Sequence, residues 1–226
     1  MADIANNIAS VRARVAAACA RVGRNPADVT ILGVSKTVGL PDIQTALDCG
    51  ITQLGENRVQ ELCEKYGAVK GADWHLIGHL QTNKVKYIID KVSLIHSVES
   101  MKLAREIDRL SKAAGKTTNV LIEVNISGEA SKHGIPPEAL YPFLDEISSL
   151  EAVSVRGLMT MAPLLAPKEE IRQIFKKLFH FFIDISQKKY NNMSMDFLSM
   201  GMSNDFEIAV EEGANLIRVG SAIFKA

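Results

Sequence analysis

Eight short apolar runs recur along the chain, separated by stretches of helical periodicity, and this alternation limits the possible folds more than any other feature. The runs are TILGV from Thr30, TQL from Thr52, HLI from His75, LIH from Leu94, VLIEV from Val120, SVRGL from Ser154, FLS from Phe197 and LIRV from Leu216. Each has the length and apolar character of a buried strand. LPDIQTAL from Leu40, MKLAREIDRL from Met101 and EEIRQIFKKLF from Glu169 read as helices between them. Strands that alternate with helices pair in parallel through right-handed crossovers, which leaves an open doubly wound sheet or a closed eight-unit barrel. A length of 226 residues lies near the lower end for an eight-unit barrel, and no unit is missing. The expectation is therefore α/β: a single (β/α)8 TIM barrel over residues 1–226, with no linker or composition shift to divide it.

An additional helix is expected in front of the barrel, because Ile4, Ile8, Val11, Val15 and Val22 fall at helical spacing and Gly23 and Pro26 mark its end. The later stripe of Phe175, Leu178, Phe179, Phe182 and Ile185, after a loop from Pro163 to Pro167, reads as core. With 47% apolar residues the chain can fill such a fold. Lys and Arg number 26 and so do Asp and Glu, so no bulk field draws polyanions, and nucleic acid is not an expected partner. Cys19, Cys49 and Cys63 are odd in number and lack metal-ligand spacing, which fits a reducing compartment. Asp3, Arg12 and Arg14 spoil the first segment as a signal peptide, and no run approaches a membrane span. A cytoplasmic protein with no membrane partner is expected, acting as a monomer.

In such a barrel the working residues follow the strands. They are Ser35 and Lys36; Gly55, Glu56 and Asn57; Gly78 and His79; Ser97; Asn125; Met159; Met200 to Ser203; and Arg218 to Ser221. The turns after the seventh and eighth strands matter most, because a phosphate is commonly held there. Gly201 and Gly220 allow close approach of backbone to an anion, and Ser203 and Ser221 supply hydroxyls. Ser203 taken alone is equally an N-cap for the helix carrying Asp205 and Glu207. Lys36 points toward the mouth, where desolvation favours the neutral amine that forms a Schiff base; its competing role is a pairing with Glu56 or a snorkelling surface position. Lysine and phosphate turns together point to a phosphorylated aldehyde or ketone, with pyridoxal phosphate the leading candidate.

GVSKT from Gly33, GENRVQE from Gly55, WHLIGHLQTNK from Trp74, HSVES from His96, VNIS from Val124, RGLM from Arg156, LSMGMSND from Leu198 and IRVGSAIF from Ile217 resemble, in order and over nearly the whole chain, the pyridoxal phosphate homeostasis proteins. The resemblance implies the alanine-racemase-type barrel of fold type III, with pyridoxal 5'-phosphate as cofactor and a role in vitamin B6 balance. It implies that Lys36 forms the Schiff base and that Met202, Ser203, Gly220 and Ser221 hold the phosphate. Arg218 would face the pyridine nitrogen and keep it unprotonated, weakening the ring as an electron sink. Asn57 would lie near the ring, with Asn125 a weaker candidate for the wall. Ser221 stands where the family commonly has threonine, and the hydroxyl is retained.

Three other functions compete. A racemase of this fold needs a second acid/base, for which His79 and Tyr87 are the candidates; a structural histidine and a core tyrosine are the expected roles instead. The racemase partner group depends on an extra β domain, for which the residues after the eighth run leave no room. A Schiff-base aldolase would carry its lysine on a later strand, where Met159 stands. A metallohydrolase is weaker still: His75 and His79 fall on a strand and a turn, and no H-E-x-x-H occurs. His96, His133 and His180 read as scattered surface or packing residues, and the loop SGEASKHG from Ser127 as mobile. The resulting expectation is a carrier or buffer that holds pyridoxal phosphate on Lys36 and passes it to apo-enzymes, without strong catalysis of its own.

Overall fold

The structure, a computed structural model, describes residues 3–129 and 133–225. Eight strands form a closed, wholly parallel barrel in sequence order. They are β1 (Thr30–Val34), β2 (Gln53–Glu56), β3 (Asp73–Leu76), β4 (Leu94–Val98), β5 (Thr118–Glu123), β6 (Val153–Met159), β7 (Met193–Met202) and β8 (Leu216–Val219). All eight apolar runs are strands, most of them a residue or more longer than the run itself. The barrel closes where β1 pairs with β8, Thr30 opposite Leu216 and Gly33 opposite Val219.

Alternation along each strand splits the apolar residues into two layers. Leu32, Val34, Ile77, Leu94, Leu121, Met159 and Leu216 fill the inside. Leu54, Trp74, Leu76, Val120, Ile122 and Leu198 face outward, under the helices. Those helices are α2 (Leu40–Asp48), α3 (Val59–Ala68), α4 (Met101–Ala113), α5 (Leu140–Ile147), α6 (Lys168–Ser186), α7 (Phe206–Glu211) and α8 (Ser221–Phe224). In α4 the Ser100 hydroxyl caps the first turn by accepting from Leu103 N–H, and Leu103, Ala104, Ile107 and Ser111 form its buried stripe. Between β3 and β4 the chain makes only a 3-10 stretch, Thr82–Tyr87. Its tighter winding turns Tyr87 outward, 46% exposed beneath the Lys84 and Lys86 ammonium groups, rather than into the core that its helical setting suggested.

The additional helix is α1 (Ile4–Arg21), capped by Asp3, which accepts from Asn6 N–H. Its buried stripe of Ile4, Ile8, Val11 and Val15 packs on α7 and α8, so the start of the chain braces its end. Asn7 Nδ2 donates to the Ile223 carbonyl at 3.0 Å, and Arg14 stacks on Phe206 while pairing with Glu207 at 3.1 Å. Val22 lies beyond the last turn and is exposed, unlike the other members of the periodic set. Phe175, Leu178 and Ile185 of α6 are fully packed, with Phe179 and Phe182 half-buried beside them. The three cysteines are unbridged, and no helix of the described residues is long and apolar enough to cross a membrane.

One glycine sets the geometry of the barrel wall. Gly157 in β6 has φ +147°, and a Cβ there would lie 1.8 Å from the Phe197 carbonyl oxygen of β7, beside the register shift of that pair. Gly157→Ala is expected to cost about 3 kcal/mol or more in urea unfolding, from strain and backbone collision together. Gly67→Ala, at an open position in α3, should instead stabilise by about 0.5 to 1 kcal/mol. Equal effects of the two would refute this account of Gly157.

Candidate functional site

A cavity of about 520 Å³ opens at the C-terminal ends of the strands, and it brings together Lys36, Asn57, Met202, Ser203, Arg218, Gly220 and Ser221. All seven residues singled out from the sequence therefore line one space. Its wall also holds residues that sequence reasoning passed over, notably Met161 after β6, Leu164 and Ile171 from the segment entering α6, and Phe224 of α8. The titratable lining residues among the described ones are Lys36, Lys168, Arg218 and Lys225 against the carboxylate of Asp205, so the cavity is net cationic.

Lys36 stands just past β1 on a backbone fixed from several sides. Ser35 N–H donates to the Gly55 carbonyl at 3.0 Å, and its hydroxyl donates to Glu56 Oε1 at 2.7 Å. Lys65 from α3 reaches the same carboxylate oxygen and the Ser35 carbonyl, each at 2.7 Å. Glu56 Oε1 is thus engaged by Lys65 and Ser35, while Glu56 is buried and Lys36 exposed, so the pairing weighed between them is not formed. Burial pushes the Glu56 carboxyl up while its hydrogen bonds from Lys65 and Ser35 pull it down. Thr37 follows in the left-handed region, φ +60°, its N–H donated to Glu61 Oε2 at 3.0 Å. Lys36 itself is exposed at the rim, so the desolvation expected of it is not found.

At the turns after β7 and β8 the structure corrects two sequence readings. Ser203 does not cap α7; Asp205 occupies that position and accepts from Met202 N–H. The Ser203 hydroxyl instead spans to the other turn and accepts from Gly220 N–H and Ala222 N–H, both at 3.2 Å. Gly201, φ +92°, serves helix packing: a Cβ there would lie 2.5 Å from Ala209 Cβ of α7. Since α8 has only four residues, this turn offers individual amides and hydroxyls rather than a long helix dipole. Asn125 lies outside the cavity wall and organises its own loop, accepting from Ser127 and Gly128 N–H. Residues 130–132 of that loop, read above as mobile, lie outside the described residues.

Arg218 is buried, 3% exposed, and points inward from β8. It donates to Ser199 Oγ at 2.5 Å and to the Thr160 carbonyl at 2.9 Å. Burial lowers its pKa to about 10, against the pull of Glu123 and Asp205, so it stays cationic at neutral pH. From Ser199 a column of contacts continues down the barrel: His96 Nδ1 at 3.1 Å, then His75 Nδ1 against His96 Nε2 at 3.0 Å, then Asp73 at 3.5 Å from His75 Nε2. The column is satisfied in order when the Ser199 hydroxyl, which accepts from Arg218, donates to His96 Nδ1, His96 donates from Nε2 to His75, and His75 donates from Nε2 to Asp73. Burial, with His75 and Arg218 nearby, holds His96 well below the ordinary imidazole range and keeps it neutral. His96 is therefore an interior residue, the packing role of the two expected for it, with hydrogen bonds that its reading did not include. An Arg on β8 beside a polar residue of the adjacent strand β7 was the available signal for it.

The alanine racemase N-terminal domain family matches residues 3–226. A pyridoxal phosphate homeostasis protein of Aquifex aeolicus is 44% identical over 219 residues, covering 96% of this chain and 95% of that one. The chain belongs to the pyridoxal phosphate homeostasis protein family. The structure of PipY from Synechococcus elongatus with PLP bound, a solved structure similar to this one, aligns with TM-score 0.85 at 33% identity, covering 98% of this chain and all of that one, 100%. An alanine racemase from Streptomyces lavendulae, 17% identical with TM-score 0.71 over 94% of this chain and 56% of that one, shares the barrel fold.

Glu123, at the end of β5, gives a test of the electrostatics of the mouth. Burial, reinforced by Glu99, pushes its carboxyl up to about 7, with Arg218 opposing. The unfolded chain loses this proton first, near the ordinary carboxyl value of 4.5, and the folded protein keeps it until about 7. Stability therefore falls as pH rises through that window, by about 3 kcal/mol when complete. Glu123→Gln should match the parent near about pH 4 and exceed it by about 2 to 3 kcal/mol near about pH 8 in urea unfolding. Parallel curves at all pH values would refute the assignment.

Proposed function

We propose that the chain binds pyridoxal 5'-phosphate in this cavity and acts in intracellular vitamin B6 balance, as a buffer of the reactive aldehyde and a donor to apo-enzymes. The observation that carries this reading is the convergence of Lys36, buried Arg218 and the Ser203–Gly220–Ser221 turn on one cationic space of suitable size. The residues fit the cofactor. Asn57 Oδ1 is buried with no hydrogen-bond partner among the described residues, an acceptor suited to the ring hydroxyl. Membership in the family and the PLP-bound PipY structure support the same ligand.

When bound, the cofactor supplies an electrophilic aldehyde carbon. Lys36 provides the amine for covalent attachment, on a backbone held by the Glu56–Lys65–Ser35 contacts. Met202, Ser203, Gly220 and Ser221 would hold the phosphate, the two hydroxyls as donors and the Met202 and Gly220 amides by exchanging their present acceptors, Asp205 and Ser203, for it. Arg218, fixed by Ser199 and Thr160, presents its guanidinium to the ring nitrogen and keeps it unprotonated, because two cations in contact repel. A ring so held is a poor electron sink, which favours storage over turnover. A protein of this kind works as one monomeric unit, with neither nucleic acid nor membrane as partner.

Pyridoxal phosphate added to the purified protein is expected to give a visible band, and borohydride to erase it while fixing the cofactor on the peptide carrying Lys36. Lys36→Ala should lose the band and retain weakened, phosphate-dependent binding. An unchanged band in that variant would overturn the role of Lys36. Delivery is tested separately: loaded protein should activate a PLP-dependent apo-enzyme faster than the rate at which cofactor dissociates into buffer. Activation no faster than dissociation would leave the buffering role and remove the donor role.

A further inference from the structure

Outside the cavity wall, three side chains that the proposed cofactor does not use meet at the mouth of the barrel. His79 follows β3, Glu99 follows β4, and His133 precedes the point where the loop after β5 returns to pair Ile135 with Val124. His79 Nδ1 lies 2.8 Å from Glu99 Oε1, and His133 Nδ1 lies 3.3 Å from Glu99 Oε2. The two imidazole rings stack, centroids 4.2 Å apart and planes 15° from parallel. Both rings thereby aim the same nitrogen at one carboxylate, and one donor atom from each residue lies within 4.8 Å of the others. Far apart in sequence, these residues form no motif, and only the barrel brings them together.

We propose that His79, Glu99 and His133 bind a divalent transition-metal ion of the zinc type. Two imidazole nitrogens and one carboxylate oxygen are the donor set that selects zinc, cobalt or nickel over calcium or magnesium. In a tetrahedral site with bonds of about 2.0 to 2.1 Å, neighbouring donors stand about 3.3 Å apart. The 3.3 Å separation at His133 matches that spacing and the 2.8 Å separation at His79 is shorter than it, and rotation of the two half-exposed rings adjusts the latter and brings the two imidazole nitrogens into range. Glu99 is already set in place, since Gly134 N–H donates to its Oε2 at 2.8 Å. With both rings at the surface, water completes the coordination.

The ion would tie the returning loop to the ends of β3 and β4. It would also sit next to the cavity, because Gly78, beside His79, packs its bare Cα against the Asn57 backbone, where a Cβ would lie 2.4 Å from the Asn57 carbonyl oxygen. This inference does not rest on pyridoxal phosphate binding.

Cobalt(II) titration of borohydride-treated protein tests the site, because no cofactor chromophore then overlaps the ligand-field bands of tetrahedral cobalt. One cobalt per chain with such bands, displaced by zinc, is expected. His79→Ala and His133→Ala should each weaken binding at least about 10-fold with the circular dichroism spectrum unchanged, and Glu99→Gln should do the same. Equal binding in the parent and in the histidine variants would overturn the proposal and leave a hydrogen-bonded cluster only. Bands that persist in those variants and vanish in Cys49→Ser or Cys63→Ser would overturn it likewise, by moving the ion to the thiols.

Discussion

The pairing of β1 with β8 is the constraint on which the rest of the structure depends. Thr30 opposite Leu216 and Gly33 opposite Val219 bring the first strand against the last, and so place Lys36 on the same rim as Arg218, Gly220 and Ser221. Without that seam the candidate amine and the phosphate turn would belong to opposite edges of an open sheet. The seam is reinforced from outside by α1, whose apolar stripe covers α7 and α8 and whose Asn7 holds the Ile223 carbonyl. The earliest and latest segments of the chain thus form one mutually supporting layer, and a cooperative loss of both on unfolding is its natural behaviour.

Inside the barrel, apolar and polar residues divide the space. Leu32, Val34, Leu94, Leu121 and Leu216 supply ordinary filling, whereas His75, His96, Ser199 and Arg218 form a hydrogen-bonded column among them. A buried guanidinium is costly unless its donors are met. Ser199 and the Thr160 carbonyl accept two of its N–H groups here, and the two histidines carry the column of contacts on to Asp73. The Glu56–Lys65–Ser35 group does the same service outside β1, between strand and helix, where burial of a carboxylate is tolerated because an ammonium and a hydroxyl share one of its oxygens.

How much of this was legible in the sequence follows from the range of each interaction. Strand periodicity is local, so the eight runs could be read directly, and the rule that function follows the strand ends then delivered Lys36, Asn57, Met202, Ser203, Arg218, Gly220 and Ser221. Helical periodicity was less informative where few residues set it: the stretch through Tyr87 winds as 3-10, and Val22 lies past the end of α1. Long-range contacts left no trace. Ser203 looks like a cap until β8 is laid beside β7, and His96 looks incidental until Ser199 and Arg218 are seen beside it. His79, Glu99 and His133 are single polar residues after three different strands, with no spacing to connect them.

The polar column has a consequence for the barrel as a whole. TIM barrels ordinarily divide their labour, with a floor that contributes stability and a rim that contributes chemistry. Asp73 opens β3 on the floor, yet the contacts through His75, His96 and Ser199 join it to a guanidinium that lines the cavity at the rim. Along this one line an unbroken run of polar contacts joins floor and rim, so residues on the far face of the barrel take part in holding the guanidinium that lines the cavity.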